Sequence, residues 1–233
     1  MSLRCEHLAV LLRVHRRPQY LTQIFKQIKQ LSDGRSTTVL VRTDRPSMEV
    51  MTSLDRIQES LPSNIKVEVF EAACRTRSSS GENWALSCVE LHEKTLALEP
   101  LPEVAMLWDD DVVFGDTALQ EVKEALAFFD YDNISVRWAM CHGSTNIENT
   151  TFPAHWAACA FRVYKDDAWS TTLVQHAPAN AANGTTLKLS PPALHLGYLT
   201  ENDREEAWLA AKASGKLDNH TYALIRPPQL KEL

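Results

Sequence analysis

Three consecutive carboxylates, Asp109, Asp110 and Asp111, interrupt the apolar run Val104-Ala-Met-Leu-Trp-Asp-Asp-Asp-Val-Val-Phe114. Adjacent anions repel one another unless a cation or hydrogen-bond donors compensate them. One carboxylate is enough to cap a helix or a turn, so three in a row between core-type residues ask for more than capping. Alternation along an extended chain predicts Asp109 and Asp111 on one side, with Asp110 facing away. Two carboxylates on one side can hold a hard divalent cation such as Mg²⁺ or Mn²⁺, which prefers oxygen ligands and can bridge to phosphates.

The surrounding pattern says what must position them. Val104 to Trp108 has the length and composition of a buried strand entered from Pro100 and Pro102, and Gly115-Asp116-Thr117 opens an amphipathic helix to Phe129. Upstream, Leu8–Val14, Thr37–Thr43 and Ile65–Phe70 read as strands. Helices over Gln19–Leu31 and Met48–Leu61 separate them, and another runs from Glu82 to about Ala97. Strands alternating with helices of this length imply right-handed crossovers and a mainly parallel sheet. The carboxyl end of a strand in such a sheet borders the crevice where ligands bind.

Downstream, Asn133–Trp138 and His155–Tyr164 read as strands and Asp166–Val174 as a short helix. Gln175–Pro192, with its Ala, Asn, Gly and Pro content, is expected to be the mobile segment. Ala193–Tyr198 then leads into an acidic-headed helix, Thr200–Lys212. With 233 residues and no sharp linker, one α/β domain is expected.

The composition is that of an ordinary globular chain, 44% hydrophobic and 23% charged, with no apolar run long enough to span a membrane. A net charge of −6 argues against a broad basic surface for nucleic acid. The first residues lack the apolar segment of a signal peptide, and the five cysteines are scattered without metal-type pairs. Together these point to a reducing, cytoplasmic setting. Neither a dinucleotide glycine fingerprint nor a P-loop occurs in a chain with seven glycines. A bound nucleotide would therefore have its phosphates held by a metal and side chains.

In this order the chain resembles the GT-A class of nucleotide-sugar-dependent glycosyltransferases, of the family 2 type. Val14-His-Arg-Arg-Pro-Gln-Tyr-Leu21 is similar to the class's first strand, turn and helix. Leu107-Trp-Asp-Asp-Asp-Val-Val113 resembles its Asp-x-Asp signature, with a third Asp. His155 to Asp167 is similar to the strand lining the donor-sugar pocket, and Thr200 to Lys216 to the late acidic helix. The late helix departs from the usual adjacent Glu-Asp pair, having Glu201-Asn202-Asp203 instead.

The resemblance implies a Rossmann-type three-layer sandwich, with a nucleotide-binding half over residues 1–115 and an acceptor-binding half over 116–233. It also implies a UDP-linked sugar donor, Mn²⁺ or Mg²⁺ as cofactor, and transfer to a hydroxyl with inversion. Asp111 becomes the main metal ligand, and Asp109 a ligand through the metal's water shell or a contact to the ribose. Asp110 adjoins the nucleotide site, Asp44 faces the base, and Arg13, Arg75 or Arg77 meets phosphate or base. His195 and His220 are the candidates for a histidine metal ligand, and Asp203, with Glu201 as the alternative, for the catalytic base. Trp84, Trp156 and Trp208 could stack on a base or sugar.

The acceptor is left open among glycans, lipid-linked precursors, proteins and hydroxymethylated DNA bases. A nucleotidyltransferase of similar build, a phosphohydrolase with a nucleophilic Asp and a non-catalytic nucleotide- or carbohydrate-binding domain are the competing readings.

Overall fold

The structure is a computed structural model, and it describes residues 5–14, 17–43, 47–72, 80–141, 143, 145–146, 150–151, 156–169, 177–197 and 199–213. Three βα units come first. Strand β1 (His7–Val14) leads to helix α1 (Pro18–Ser32), β2 (Ser36–Thr43) to α2 (Met48–Glu59), and β3 (Ile65–Glu71) to α3 (Ser80–Leu96).

Local chemistry accounts for the helix ends. Pro18, with its fixed φ, opens α1, while Asp33 (φ 43°) and Gly34 (φ 82°) turn the chain out of it. The Ser47 hydroxyl accepts the Val50 amide at 3.2 Å and caps α2. Leu21, Ile24, Phe25, Ile28 and Leu31 recur at helical spacing on α1 and are all buried.

The acidic triplet follows β4 (Val104–Asp109), after which come β5 (Val112–Phe114) and α4 (Asp116–Ala127). The remaining elements are short: β6 (Asn133–Val136), β7 (Trp138–Cys141), β8 (Thr150–Thr151), β9 (Ala157–Arg162), α5 (Ala179–Asn183), β10 (Thr186–Lys188) and β11 (Ala193–His195), before α6 (Glu201–Ala213).

Seven strands form the main sheet in the order β10-β6-β9-β4-β1-β2-β3. All pairs are parallel except those of β9, which runs antiparallel to both β4 and β6. Alternation along the central strands sends Leu8, Val10, Leu12, Val104, Met106 and Trp108 to one face, where they pack with the apolar stripes of α1, α2 and α4. Ala9, Leu11, Leu40 and Ala105 face the other way, against Cys88 and Leu91 of α3 and Ala181 of α5. The result is a three-layer α/β sandwich with β4 at an inner position. Arg42 of β2, itself buried, is ion-paired with Glu90 and ties α3 to its face of the sheet.

Several local expectations are corrected. Val112–Phe114, to which the sequence reading assigned no element, is a strand outside the main sheet and joins a second sheet of order β5-β11-β7-β8. The predicted strand over Asn133–Trp138 breaks at Arg137 into β6 and β7, which belong to different sheets. Residues 166–169 are not helical, and the rest of the helix expected there lies outside the described residues.

The segment expected to be mobile carries α5 and β10 over its described part. Its backbone is clamped by side chains that periodicity does not reveal. Asn133 Nδ2 donates to the Ala181 carbonyl at 2.7 Å, Asp167 accepts the Asn180 amide at 3.0 Å, and Asp132 accepts the Thr185 amide at 2.6 Å. Asp132 also takes the Tyr164 hydroxyl, and that bond first, with those from Thr185, holds its carboxyl below the ordinary range.

Among the described residues no helix is long and apolar enough to cross a membrane. Cys5, Cys88, Cys141 and Cys159 are buried free thiols; Cys74 lies outside the described residues.

Candidate functional site

The acidic turn is built by its neighbours. Trp108, fully buried at the end of β4, donates its indole N–H across the turn to the Val112 carbonyl at 2.7 Å and meets Phe114 edge-on. Asp110 donates its amide to the Arg13 carbonyl at 3.0 Å, which fixes the turn against the end of β1. On the far side, buried Gln27 of α1 pairs with Phe114 as a strand would. Its side-chain oxygen accepts the Phe114 amide at 3.1 Å, and its nitrogen donates to the Phe114 carbonyl at 2.5 Å. One amide side chain thus satisfies both backbone groups of a strand residue that would otherwise be buried unpaired.

The turn breaks the alternation expected for the triplet. Strand geometry ends at Asp109, so Asp110 and Asp111 are not governed by a period of two. Asp109 lies opposite Arg13 in the β1–β4 register and accepts its Nε at 2.6 Å. Asp110 does not face away: it is buried, and Oδ2 accepts the Arg17 amide at 3.2 Å. Asp111, also buried, accepts from Arg17 Nη1. The carboxylates of Asp109 and Asp111 therefore meet different arginines.

Strand β11 brings His195 to the same place. Its antiparallel pairing with β5 sets His195 opposite Val112, and the Leu196 amide donates to the Asp111 carbonyl at 2.6 Å. The imidazole stacks on Trp138 with ring centroids 5.4 Å apart and holds Nε2 3.7 Å from Asp111 Oδ1. Its Nδ1 accepts the Gly197 amide at 3.3 Å, which leaves the ring proton on Nε2, toward Asp111. Gly197 is required for this approach. A Cβ there would lie 2.5 Å from His195 Cε1 and 2.9 Å from Asp111 Oδ2.

Asp203 enters from α6. It stands at the third helical position after Thr200 and forms a capping box: its amide donates to Thr200 Oγ1 at 3.1 Å, and Oδ2 accepts the Thr200 amide at 3.2 Å and hydroxyl at 2.6 Å. The other oxygen, Oδ1, is 3.4 Å from Arg17 Nε. Glu201, two residues earlier, is exposed.

Arg17 thus joins the three parts of the site, and sequence reasoning missed it. Its Nη2 also donates to the Gly197 carbonyl at 3.3 Å. Burial opposes its charge, but Asp111, Asp110 and Asp203 outweigh that and hold the guanidinium protonated more firmly than usual. Arg13 behaves alike: burial opposes its charge and Asp109 overrides the effect. The only signal in the sequence was the His15-Arg-Arg-Pro18 turn at the carboxyl end of the first strand, and nothing there separates Arg17 from its neighbour.

The structure brings together Arg13, Asp109, Asp110, Asp111, His195 and Asp203. Asp44, Arg75, Arg77 and His220 lie outside the described residues, as does the side chain of Trp84. Trp156 and Trp208 are half-buried, and Lys188 Nζ stands 5.7 Å over the Trp156 ring.

Among the described residues no three of His, Cys, Asp and Glu converge as a metal cage. A cation that is completed by substrate phosphates needs only one or two protein ligands. Asp111 Oδ1 and His195 Nε2, an oxygen and a nitrogen 3.7 Å apart beside Gly197, fit Mn²⁺ in that mode with the ring proton on Nδ1.

No protein-family profile matches this chain, and no curated protein does. Among solved structures it is similar to S. aureus TarS, with a TM-score of 0.51 at 13% identity, covering 94% of this chain and 41% of TarS. It also aligns with the mannosyltransferase PcManGT from Pyrobaculum calidifontis, solved in complex with GDP-Man and Mn²⁺, at a TM-score of 0.49 and 13% identity. That alignment covers 93% of this chain and 66% of the mannosyltransferase. The chain thus spans less than two thirds of either protein. At these identities the likeness concerns the fold, which is GT-A-like, the fold of nucleotide-sugar glycosyltransferases.

Proposed function

We propose that this chain is a metal-dependent glycosyltransferase that moves a sugar from a nucleoside-diphosphate sugar to an acceptor hydroxyl with inversion. The supporting observation is the convergence of Asp111, His195 and Asp203 around Arg17 beside the carboxyl end of β4, within a GT-A-like sheet. In open α/β sheets that end of the strands is where ligands bind.

A divalent cation, when bound, supplies Lewis-acid stabilisation of the charge that develops on the departing diphosphate. Asp111 and His195 would hold it, His195 through Nε2 once its ring proton has moved to Nδ1 and that atom has given up the Gly197 amide. Asp203 is the general base: Thr200 fixes Oδ2, and Oδ1, which faces Arg17 Nε at 3.4 Å, keeps a second lone pair for an acceptor hydroxyl. An acceptor hydroxyl passes its proton to Asp203 as its oxygen bonds to the anomeric carbon and the bond to the diphosphate oxygen breaks. A single displacement of this kind inverts the configuration. The pairing of Arg13 with Asp109 places both at the edge of β1 and β4, suited to orient the donor's nucleotide.

The first half of the chain, to residue 115, is read as the nucleotide-binding half and the second as the acceptor-binding half. The donor is read as UDP-linked, and the residues beyond the described part keep their proposed roles: Asp44 toward the base, Arg75 or Arg77 toward phosphate or base, and His220 as an alternative ligand.

A thermal-shift screen of UDP- and GDP-sugars with and without Mn²⁺ tests the proposal, because a ligand that binds the folded state raises its melting temperature by mass action. A metal-dependent shift followed by release of nucleoside diphosphate and an inverted product is expected. Release of pyrophosphate would convert the reading to a nucleotidyltransferase. Metal-dependent nucleotide binding without turnover of any donor and acceptor pair would leave a binding domain.

A further inference from the structure

We propose that Arg17 is a built-in counter-cation, which occupies Asp111 in the metal-free protein and must swing off it for a divalent cation to bind. The inference rests on the metal reading above, and it concerns what stands in the way of that metal. Asp111 Oδ2 accepts from Arg17 Nη1, while Oδ1 of the same carboxylate faces His195. A cation bound by Asp111 and His195 would therefore stand beside a guanidinium already seated on the same carboxylate. Like charges so placed repel strongly in a half-buried setting.

The arginine is arranged to leave without unravelling its surroundings. Its backbone is fixed independently, since the amide donates to Asp110 Oδ2 at 3.2 Å and the next residue is Pro18, the first of α1. Its side chain keeps other acceptors when Asp111 is given up: Asp203 Oδ1 at 3.4 Å from Nε and the Gly197 carbonyl at 3.3 Å from Nη2. Side-chain exposure is 21% for Arg17 against 12% for Asp111 and 10% for Asp203, so Arg17 is the least enclosed of the three.

Charge balance points the same way. Asp109 has Arg13, whereas Asp111 and Asp203 share Arg17. Arrival of a divalent cation at Asp111 makes that share redundant and leaves Arg17 to Asp203. Arg17 thereby sets how tightly Asp111 takes up metal, and it balances that carboxylate's charge until metal arrives.

The test is direct titration of Mn²⁺ alone, with free ion counted by electron paramagnetic resonance, into the wild-type chain, Arg17→Gln, Arg17→Lys and Asp111→Asn. Arg17→Gln is expected to bind Mn²⁺ about tenfold more tightly or better, a change of about 1.4 kcal/mol. Arg17→Lys is expected to fall between it and the wild type, because an ammonium cannot fork between Asp111 and Asp203. In chelator the Gln variant should melt below the wild type, and added Mn²⁺ should raise its melting temperature by more.

If Asp111→Asn loses Mn²⁺ while Arg17→Gln binds it no more tightly than the wild type, the metal site stands and the displacement role is overturned. If the wild type binds no Mn²⁺, or Asp111→Asn binds it unchanged, the metal reading itself fails and takes this inference with it. Should Arg17→Gln fail to fold, Arg17→Lys decides: tighter binding than wild type supports the inference, and equal or weaker binding overturns it.

Discussion

Asp203 has a structural task and a proposed chemical one, and replacing it by asparagine separates them. The amide oxygen of asparagine can take the place of Oδ2 and accept from the Thr200 amide and hydroxyl, so the capping box survives. What is lost is the charge facing Arg17 at 3.4 Å, where an NH₂ group would now oppose a guanidinium. Asp203 is buried and Arg17 half-buried, so this is worth about 1.5–3 kcal/mol, or a fall in melting temperature of roughly 3–12 °C for a chain of this size.

Thr200→Ala is the matched control. It deletes the hydroxyl that accepts the Asp203 amide at 3.1 Å and donates to Oδ2, a loss of about 1 kcal/mol. Thr200→Ala should therefore melt at or above Asp203→Asn. They should part in turnover, measured as initial rates of nucleoside diphosphate release: about 10²-fold or more lower for Asp203→Asn, the scale of general-base catalysis, and within a few-fold of wild type for Thr200→Ala. Equal rates in the two variants would falsify the assignment of Asp203 as base and leave it a capping residue. If instead Glu201→Gln is inactive, the base is Glu201.

Gly197→Ala keeps an ordinary backbone conformation but drives a methyl group against His195 and Asp111. It should cost about 1–3 kcal/mol of stability and weaken Mn²⁺ binding, and calorimetric titration with unchanged affinity would remove Gly197 from the site. Gln27→Leu strips both partners from the buried backbone of Phe114. A loss of about 2 kcal/mol or more is expected, read as a lower denaturant midpoint, and an unchanged midpoint would show that Gln27 does not hold β5.

The thiols of Cys5, Cys88 and Cys159 are pushed up by burial to about 12. Folded protein at pH 8 should leave these three unlabelled by iodoacetamide in peptide-resolved mass spectrometry. The stability they contribute is complete below the ordinary thiol value of 9.0 and declines as pH rises from there toward 12. A midpoint that holds steady or rises over that range would contradict this.

The three opening βα units were legible because parallel strands buried on both faces read as unbroken apolar runs and their crossover helices as amphipathic stripes. The positions of α1, α2 and α3 follow that reading closely. Beyond Phe114 the elements shrink to two to six residues apart from α4 and α6, too few to show a period, and their pairing is decided by distant partners. Nothing local in Ala193-Leu-His195 announces that it will lie against β5 and deliver an imidazole to Asp111.

The acidic triplet itself was legible as a site, but the orientation of its members was not. The period of two that assigns sides in a strand ends where the chain turns, at Asp110. Arg17 was hidden for a different reason: an arginine in a turn is ordinarily a solvated cation, and its function here comes from a carboxylate 94 positions away and a carbonyl 180 positions away.

The Gln27 contact to Phe114 also orders events in time. It closes a loop of 87 positions, and the Arg17 contact to Gly197 closes one of 180. Contacts of that separation form only after much chain entropy has been lost, and they slow folding relative to local ones. During synthesis β1 and α1 can meet as soon as they emerge, and the acidic turn can settle against them once Phe114 is out, with Gln27 holding β5. From then until β11 arrives, Gln27 alone spares that strand from offering both backbone edges to another nascent chain.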